Sequence, residues 1–105
     1  MGIWYRFIVS QNGIKPLASD TPFSNAVSFK DNNFNYEVDL ELESCSDINN
    51  EFILDIAFEE GIIVIEPDYC NEPIFLPCNP KKLHGVIIFR LRLKGYLIKI
   101  TVREV

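Results

Sequence analysis

A chain of 105 residues, 48% apolar and 24% charged, has the composition of one globular domain spanning residues 1–105. It is long enough to bury roughly 60–70% of its unfolded surface without metal or disulfide, and too apolar for wholesale disorder. A formal net charge of −5 sets the chain against DNA, RNA and anionic lipid, each of which would repel it at long range.

Ile and Val number 21 against 3 Ala, a ratio that favours pleated sheet over helix because branched side chains lose rotamer freedom on a helix. Ile3 to Val9 reads as an alternating strand, with Ile3, Tyr5, Phe7 and Val9 at one parity and Arg6 at the other. Asn12-Gly13 then supplies the positive φ angles of a tight hairpin turn. The returning segment, Ile14 to Leu17, carries Pro16, which confines it to a short or edge strand. Thr21-Pro22 reads as the cap and first turn of one short helix near residues 22–30, with Phe23, Ala26 and Val27 on one side. From Phe34 to Glu43 the alternation is unbroken. Phe34, Tyr36, Val38, Leu40 and Leu42 share one face, while Glu37, Asp39, Glu41 and Glu43 share the other.

Residues 51–60 satisfy two templates. A helix would align Glu51, Asp55 and Glu59; a strand would bury Phe52, Leu54, Ile56 and Phe58 and turn at Glu59-Glu60-Gly61 into Ile62 to Glu66. The Ile and Phe content favours the hairpin. Four prolines between 67 and 80 predict an ordered loop with one short strand, Ile74 to Leu76. In the last segment, a two-residue turn at Lys94-Gly95 sets Leu93, Leu91, Phe89 and Ile87 opposite Tyr96, Ile98, Ile100 and Val102. The opposite face then carries Arg90 directly across from Lys99, a like-charge pair that calls for acid beside it. Together these elements predict an all-β domain, an antiparallel β-sandwich or partly open barrel of about 7–8 strands. The faces of Phe34–Leu42 and Ile87–Val102 should meet in its core.

The signs of charge are segregated. Residues 31–80 hold 13 Asp and Glu and no Lys or Arg, whereas residues 81–105 hold 7 Lys and Arg against Glu104 alone. The carboxylates of Glu37, Asp39, Glu41 and Glu43 stand about 6.8 Å apart along their strand. They either imitate a nucleic-acid backbone or pair with the basic hairpin. Pairing is preferred, since one DNA strand is about twice as densely charged, with a phosphate every ~3.4 Å. Glu51, Asp55, Glu59, Glu60, Glu66, Asp68 and Glu72 have no base nearby in sequence, and Tyr69 stands among the last of them. Carboxylates around an aromatic suit the capture of a cationic protein surface. The bland alternative is a solvated acidic rim.

Catalytic and metal chemistry find little foothold. Cys45, Cys70, Cys78 and His84 supply a zinc site's ligand count but lack its close cysteine pairs. The single histidine has no motif linking it to a nucleophile, and no glycine-rich phosphate loop follows a strand. No enzyme activity and no cofactor are therefore expected. An odd number of cysteines suits a reduced chain, with a Cys70–Cys78 bridge left open for a protein outside the cell. The amino terminus lacks the order of a secretory leader, and no apolar run approaches the roughly 20 residues of a membrane span. A cytoplasmic location without membrane contact is expected.

In length, in its acid-only stretch from Asp31 to Pro80 and in its lack of catalytic motifs, the chain resembles the small acidic immunity proteins of bacterial toxin–immunity pairs, including those of contact-dependent growth-inhibition systems. The resemblance implies a cytoplasmic, non-catalytic protein that binds a cognate basic toxin domain, often a nuclease, and blocks it by steric and electrostatic occlusion. Glu59, Glu60, Glu66, Asp68, Tyr69 and Glu72 would then engage the partner's Lys and Arg. Two other readings stay open: a self-associating structural subunit joining acidic region to basic hairpin, and a carrier of a small apolar ligand.

Overall fold

Alternating side chains become strand after strand in the computed structural model, which describes residues 3–46, 50–80 and 85–105. Nine strands form among them: β1 (Trp4–Ser10), β2 (Gly13–Pro16), β3 (Ala26–Asp31), β4 (Tyr36–Cys45), β5 (Phe52–Glu59), β6 (Ile62–Pro67), β7 (Ile74–Pro77), β8 (Val86–Leu93) and β9 (Tyr96–Glu104). They make two antiparallel sheets, one ordered β2-β1-β5-β6-β7 and the other β3-β4-β9-β8. The sheets stack as a sandwich, open rather than closed into a barrel.

The expected helix near residues 22–30 is absent, and its place is taken by β3. Tertiary partners override the local Thr-Pro signal. Ser24 exchanges two backbone hydrogen bonds with Ile14, and the Leu42 amide donates to the Asn25 carbonyl. Val27 and Phe29 then turn inward at strand spacing, setting the Phe29 ring 4.5 Å from that of Tyr5 and 5.2 Å from that of Phe7. The Ile14–Ser24 pair also links β2 to the segment entering β3, stitching the two sheets along one side.

Turns follow residue chemistry, with one displacement. Lys94 and Gly95 adopt φ of 53° and 83°, the mirror-image turn whose twist matches its strands. Every apolar pair expected from it is present, as is Arg90 opposite Lys99. The first hairpin turns one residue earlier than expected, on Gln11-Asn12, so that Gly13 already pairs with Ser10. Gly13 has φ 124° and lies so near the Ser24 backbone that a Cβ would collide with it. Glycine is needed there for close approach as well as for conformation. The 51–60 segment is strand β5, paired to β6 through Glu59–Ile62.

Inner faces of both sheets contribute to one core. Phe7, Val9, Leu54, Ile56 and Ile65 from one sheet meet Val38, Leu40, Ile98, Ile100 and Val102 from the other, all buried. Fully burying a side chain of this size contributes about 1.5–3 kcal/mol. Cys78 belongs to this core, and burial pushes its thiol up to about 11. Cys45 and Cys70 are exposed, and all three cysteines are free.

One polar contact joins the sheets inside this apolar frame. The Tyr5 hydroxyl on β1 donates to Asp31 Oδ1 at 2.6 Å, and the Phe34 amide donates to Asp31 Oδ2 at 2.8 Å. Asp31 is only 3% exposed, so its carboxylate depends on these donors. Desolvation, with Asp31 beside it, pushes the Tyr5 phenol up to about 12. Tyr5→Phe is expected to cost about 1–3 kcal/mol, measured as a lower urea midpoint at unchanged slope. Because the folded-state value is raised, the stability tied to Tyr5 is complete below its ordinary value of 10 and is lost as pH rises through about 12. Alkaline titration of tyrosinate absorbance should show all four tyrosines ionising late, since each is raised by burial first. The Tyr5 step should come last and vanish in Tyr5→Phe.

Candidate functional site

Two acidic surfaces emerge, and the sheet registers treat them differently. On the outer face of the four-stranded sheet, cross-strand pairing sets Lys30, Glu37 and Arg103 abreast, then Ser28, Asp39 and Thr101, then Ala26, Glu41, Lys99 and Arg90. Arg103 donates to Asp39 Oδ2 at 2.5 Å, Ser28 to Asp39 Oδ1 at 2.7 Å, and Arg90 to Glu43 Oε1 at 3.0 Å. The charge ladder anticipated from the sequence is therefore built within one copy of the chain. Opposition of Arg90 and Lys99 is relieved on both sides, by Glu43 reaching Arg90 and by Glu41 paired across from Lys99.

A bulge makes the Glu43 contact possible. The β4–β9 register shifts between Leu42 and Ser44, which leaves Glu43 without an opposite residue. Extra residues of this kind re-aim a side chain locally, and here the carboxylate spans β9 to meet β8. Hydrogen bonding from Arg103, then from Ser28, holds the Asp39 carboxyl below its usual range. A shallow hollow of about 320 Å³ lies beside it, lined by Ser28, Phe29, Lys30, Glu37 and Asp39. Its walls carry both signs of charge.

The five-stranded sheet and its loops hold the second surface. Glu59 ends β5 and Glu60 follows in the turn, both exposed; Glu66 is half-buried on β6, directly across from Asp55. Asp68, Tyr69 and Glu72 lie exposed between β6 and β7. Glu59 and Glu60 are thus separated from Asp68 and Tyr69 by the length of β6, roughly 20 Å for six residues. The six residues singled out in the sequence form two groups with Glu66 between them rather than one cluster. Among the described residues, none of the five carboxylates makes an ion pair. Asp55, also expected to lack a base, takes Arg6 in a two-point contact of 2.8 and 2.9 Å, because β1 lies beside β5.

Tyr69 is engaged from within the chain. Its ring meets Phe52 edge-on at 5.3 Å, and the Lys94 ammonium stands 5.2 Å from its centroid. Burial, then the neighbouring Cys70, raises its hydroxyl. The aromatic expected among free carboxylates therefore has a cation of its own beside it.

Sequence reasoning passed over the outward apolar residues of the five-stranded sheet. Trp4, Ile62 and Phe75 are 43%, 37% and 61% exposed. A signal existed: Trp4 shares its strand parity with outward Arg6, and Phe75 has parity opposite to Ile74 and Leu76. Their alignment across strands is a matter of register, which no single strand displays.

Among the described residues, no three His, Cys, Asp or Glu side chains are grouped to hold a metal ion, and no helix is long and apolar enough to cross a membrane. His84 lies outside the described residues. Compared with known proteins, the chain matches no family model, no curated protein and no solved structure.

Because the folded Asp39 carboxyl is depressed, its stabilising contribution is present above the ordinary carboxylate range and is lost as pH falls through its folded value. Asp39→Asn should therefore flatten the acid limb of the stability–pH curve, followed by urea midpoints from neutral to acid pH. Added salt should shrink the difference, as expected for an exposed pair.

Proposed function

We propose that this protein binds a basic protein partner and inhibits it by covering its cationic surface, in the manner of an immunity protein neutralising a toxin nuclease. One observation carries the reading: the two acidic surfaces are unequally compensated. Asp39 and Glu43 on the four-stranded sheet are held by Arg103 and Arg90 of the same copy. Glu59, Glu60, Glu66, Asp68 and Glu72 have no such partner among the described residues. A patch of one sign left over after folding attracts the opposite sign, speeds encounter and repels nucleic acid. Lysines and arginines that would otherwise grip substrate phosphates are the natural target for such carboxylates.

Self-association of acidic region on basic hairpin receives less support, because Arg90 and Arg103 of that hairpin are already engaged within the copy. No catalytic step is proposed, and inhibition by occlusion needs none.

The experiment is to sequence the adjacent reading frames and co-purify the protein with any basic domain found there, together with an assay of that domain for nuclease activity. Reversing Glu59 and Glu60 to Lys, and separately Glu66, Asp68 and Glu72, should weaken binding at least about tenfold, equivalent to about 1.4 kcal/mol. Inhibition should be lost in parallel. Glu41→Gln, on the compensated sheet, should bind as the parent does. Equal affinity across all these variants would remove these carboxylates from the interface.

A further inference from the structure

The outer face of the five-stranded sheet carries a feature that outward positions of an antiparallel sheet seldom show. Register places Trp4, Ala57, Val64 and Phe75 side by side across four strands. That row contains no polar residue, and it extends about 14 Å at ~4.8 Å per strand spacing. Its ends, Trp4 and Phe75, are 43% and 61% exposed, while Ala57 and Val64 between them are 3% and 5% exposed. Ala57 and Val64 are therefore already covered, and Trp4 and Phe75 are the parts of the row open to a partner. Ile62, one row further along the same face, widens it beside Val64.

Charge brackets this row on both sides. The next row toward the β5–β6 turn holds Glu59, with Glu60 beyond it; the row on the other side holds Arg6, Asp55 and Glu66. Arg6 is taken by Asp55, so the remaining border is acidic. We infer that the exposed apolar residues of this face, Trp4, Phe75 and Ile62, anchor the interface: they pack against apolar side chains of a partner protein whose flanking residues are Lys or Arg. The inference rests on the proposed binding of a basic partner and adds to it the side chains that hold the complex together.

The division of labour follows from energetics. Exposed carboxylates accelerate encounter but are screened by salt and hold little once contact is made. Aromatic side chains buried at the centre of a patch carry most of the affinity when surrounding contacts exclude water. A second copy of this chain is a poor occupant, because face-to-face stacking would set Glu59, Glu60 and Glu66 of both copies around the same contact. A cationic partner is drawn in by the charges that a second copy would have to overcome.

Trp4 is the single tryptophan, so its fluorescence reports on this row alone. The probes are three short synthetic peptides: alternating Lys and Leu, alternating Lys and Ser, and alternating Glu and Leu. The Lys/Leu peptide should shift Trp4 emission to shorter wavelength. It should bind at least about tenfold more tightly than either control and keep binding in salt that abolishes the Lys/Ser complex. Phe75→Ala, and independently Ile62→Ser, should weaken the Lys/Leu complex about fivefold or more, with circular dichroism unchanged. Ile88→Ala, an exposed apolar residue of the other sheet, should have no effect. If the Lys/Ser peptide binds as tightly as Lys/Leu and Trp4 emission stays still, the apolar anchor is wrong while acidic capture survives. If neither cationic peptide binds, the acidic reading falls and this inference with it. Emission that shifts with protein concentration in the absence of peptide would assign the row to a second copy and overturn the basic partner.

Discussion

When β4 lies antiparallel to β9, Val38 meets Val102, Leu40 meets Ile100 and Leu42 meets Ile98 on one face, while Glu37 meets Arg103 and Glu41 meets Lys99 on the other. Both faces are satisfied by the same register. A slip of one residue would turn carboxylates and guanidinium groups into the core and leucines into water, so the pairing tolerates no neighbour. β3 and β8 then add to its two flanks. The apolar side becomes the surface on which the five-stranded sheet packs. Ordering so much intervening chain to make this contact is entropically costly, and two congruent faces offset that cost together.

This pairing also decides where the protein's negative potential ends up. Sign segregation along the chain, acid from residue 31 to 80 and base thereafter, is cancelled chiefly where the terminal hairpin lies beside β4. The five-stranded sheet receives two cations on its described strands: Arg6, matched to Asp55, and Lys15 on β2, which stands over the Phe23 ring. Its outer surface therefore combines carboxylates without an ion pair among the described residues with exposed Trp4, Ile62 and Phe75. A patch of that composition differs from a merely solvated face, which usually mixes charges and avoids large apolar side chains.

Local chemistry was enough for most elements. Strict alternation announced β4, and Lys94-Gly95 announced the register of β8 on β9 down to individual pairs. Those signals succeed because a half-buried strand and a mirror-image turn each leave an unambiguous mark over a few residues. The helix near residues 22–30 failed for the opposite reason. Thr21-Pro22 is a fair cap in isolation, and nothing local reveals that Ser24 will pair with Ile14 or that Phe29 will meet Tyr5 and Phe7. Gly13 shows the same limit: its part in a turn was visible, but its closeness to the Ser24 backbone was not. Of the six residues chosen for partner contact, exposure of the loop carboxylates could be anticipated. Their division by the length of β6, and the presence of Lys94 over Tyr69, could not.

By itself the sequence determined that the chain is all β, that Phe34–Leu42 and Ile87–Val102 turn apolar faces inward, and that acid and base must meet along them. Period-two alternation and turn chemistry are carried by adjacent residues, so a linear reading recovers them. Only the tertiary structure decided which carboxylates are matched among the described residues, that Asp31 bonds Tyr5 between the sheets, and that Trp4, Ala57, Val64 and Phe75 fall in one row. Each of these depends on registers between strands distant in the chain, and those are chosen by the packing of the whole rather than by any segment within it.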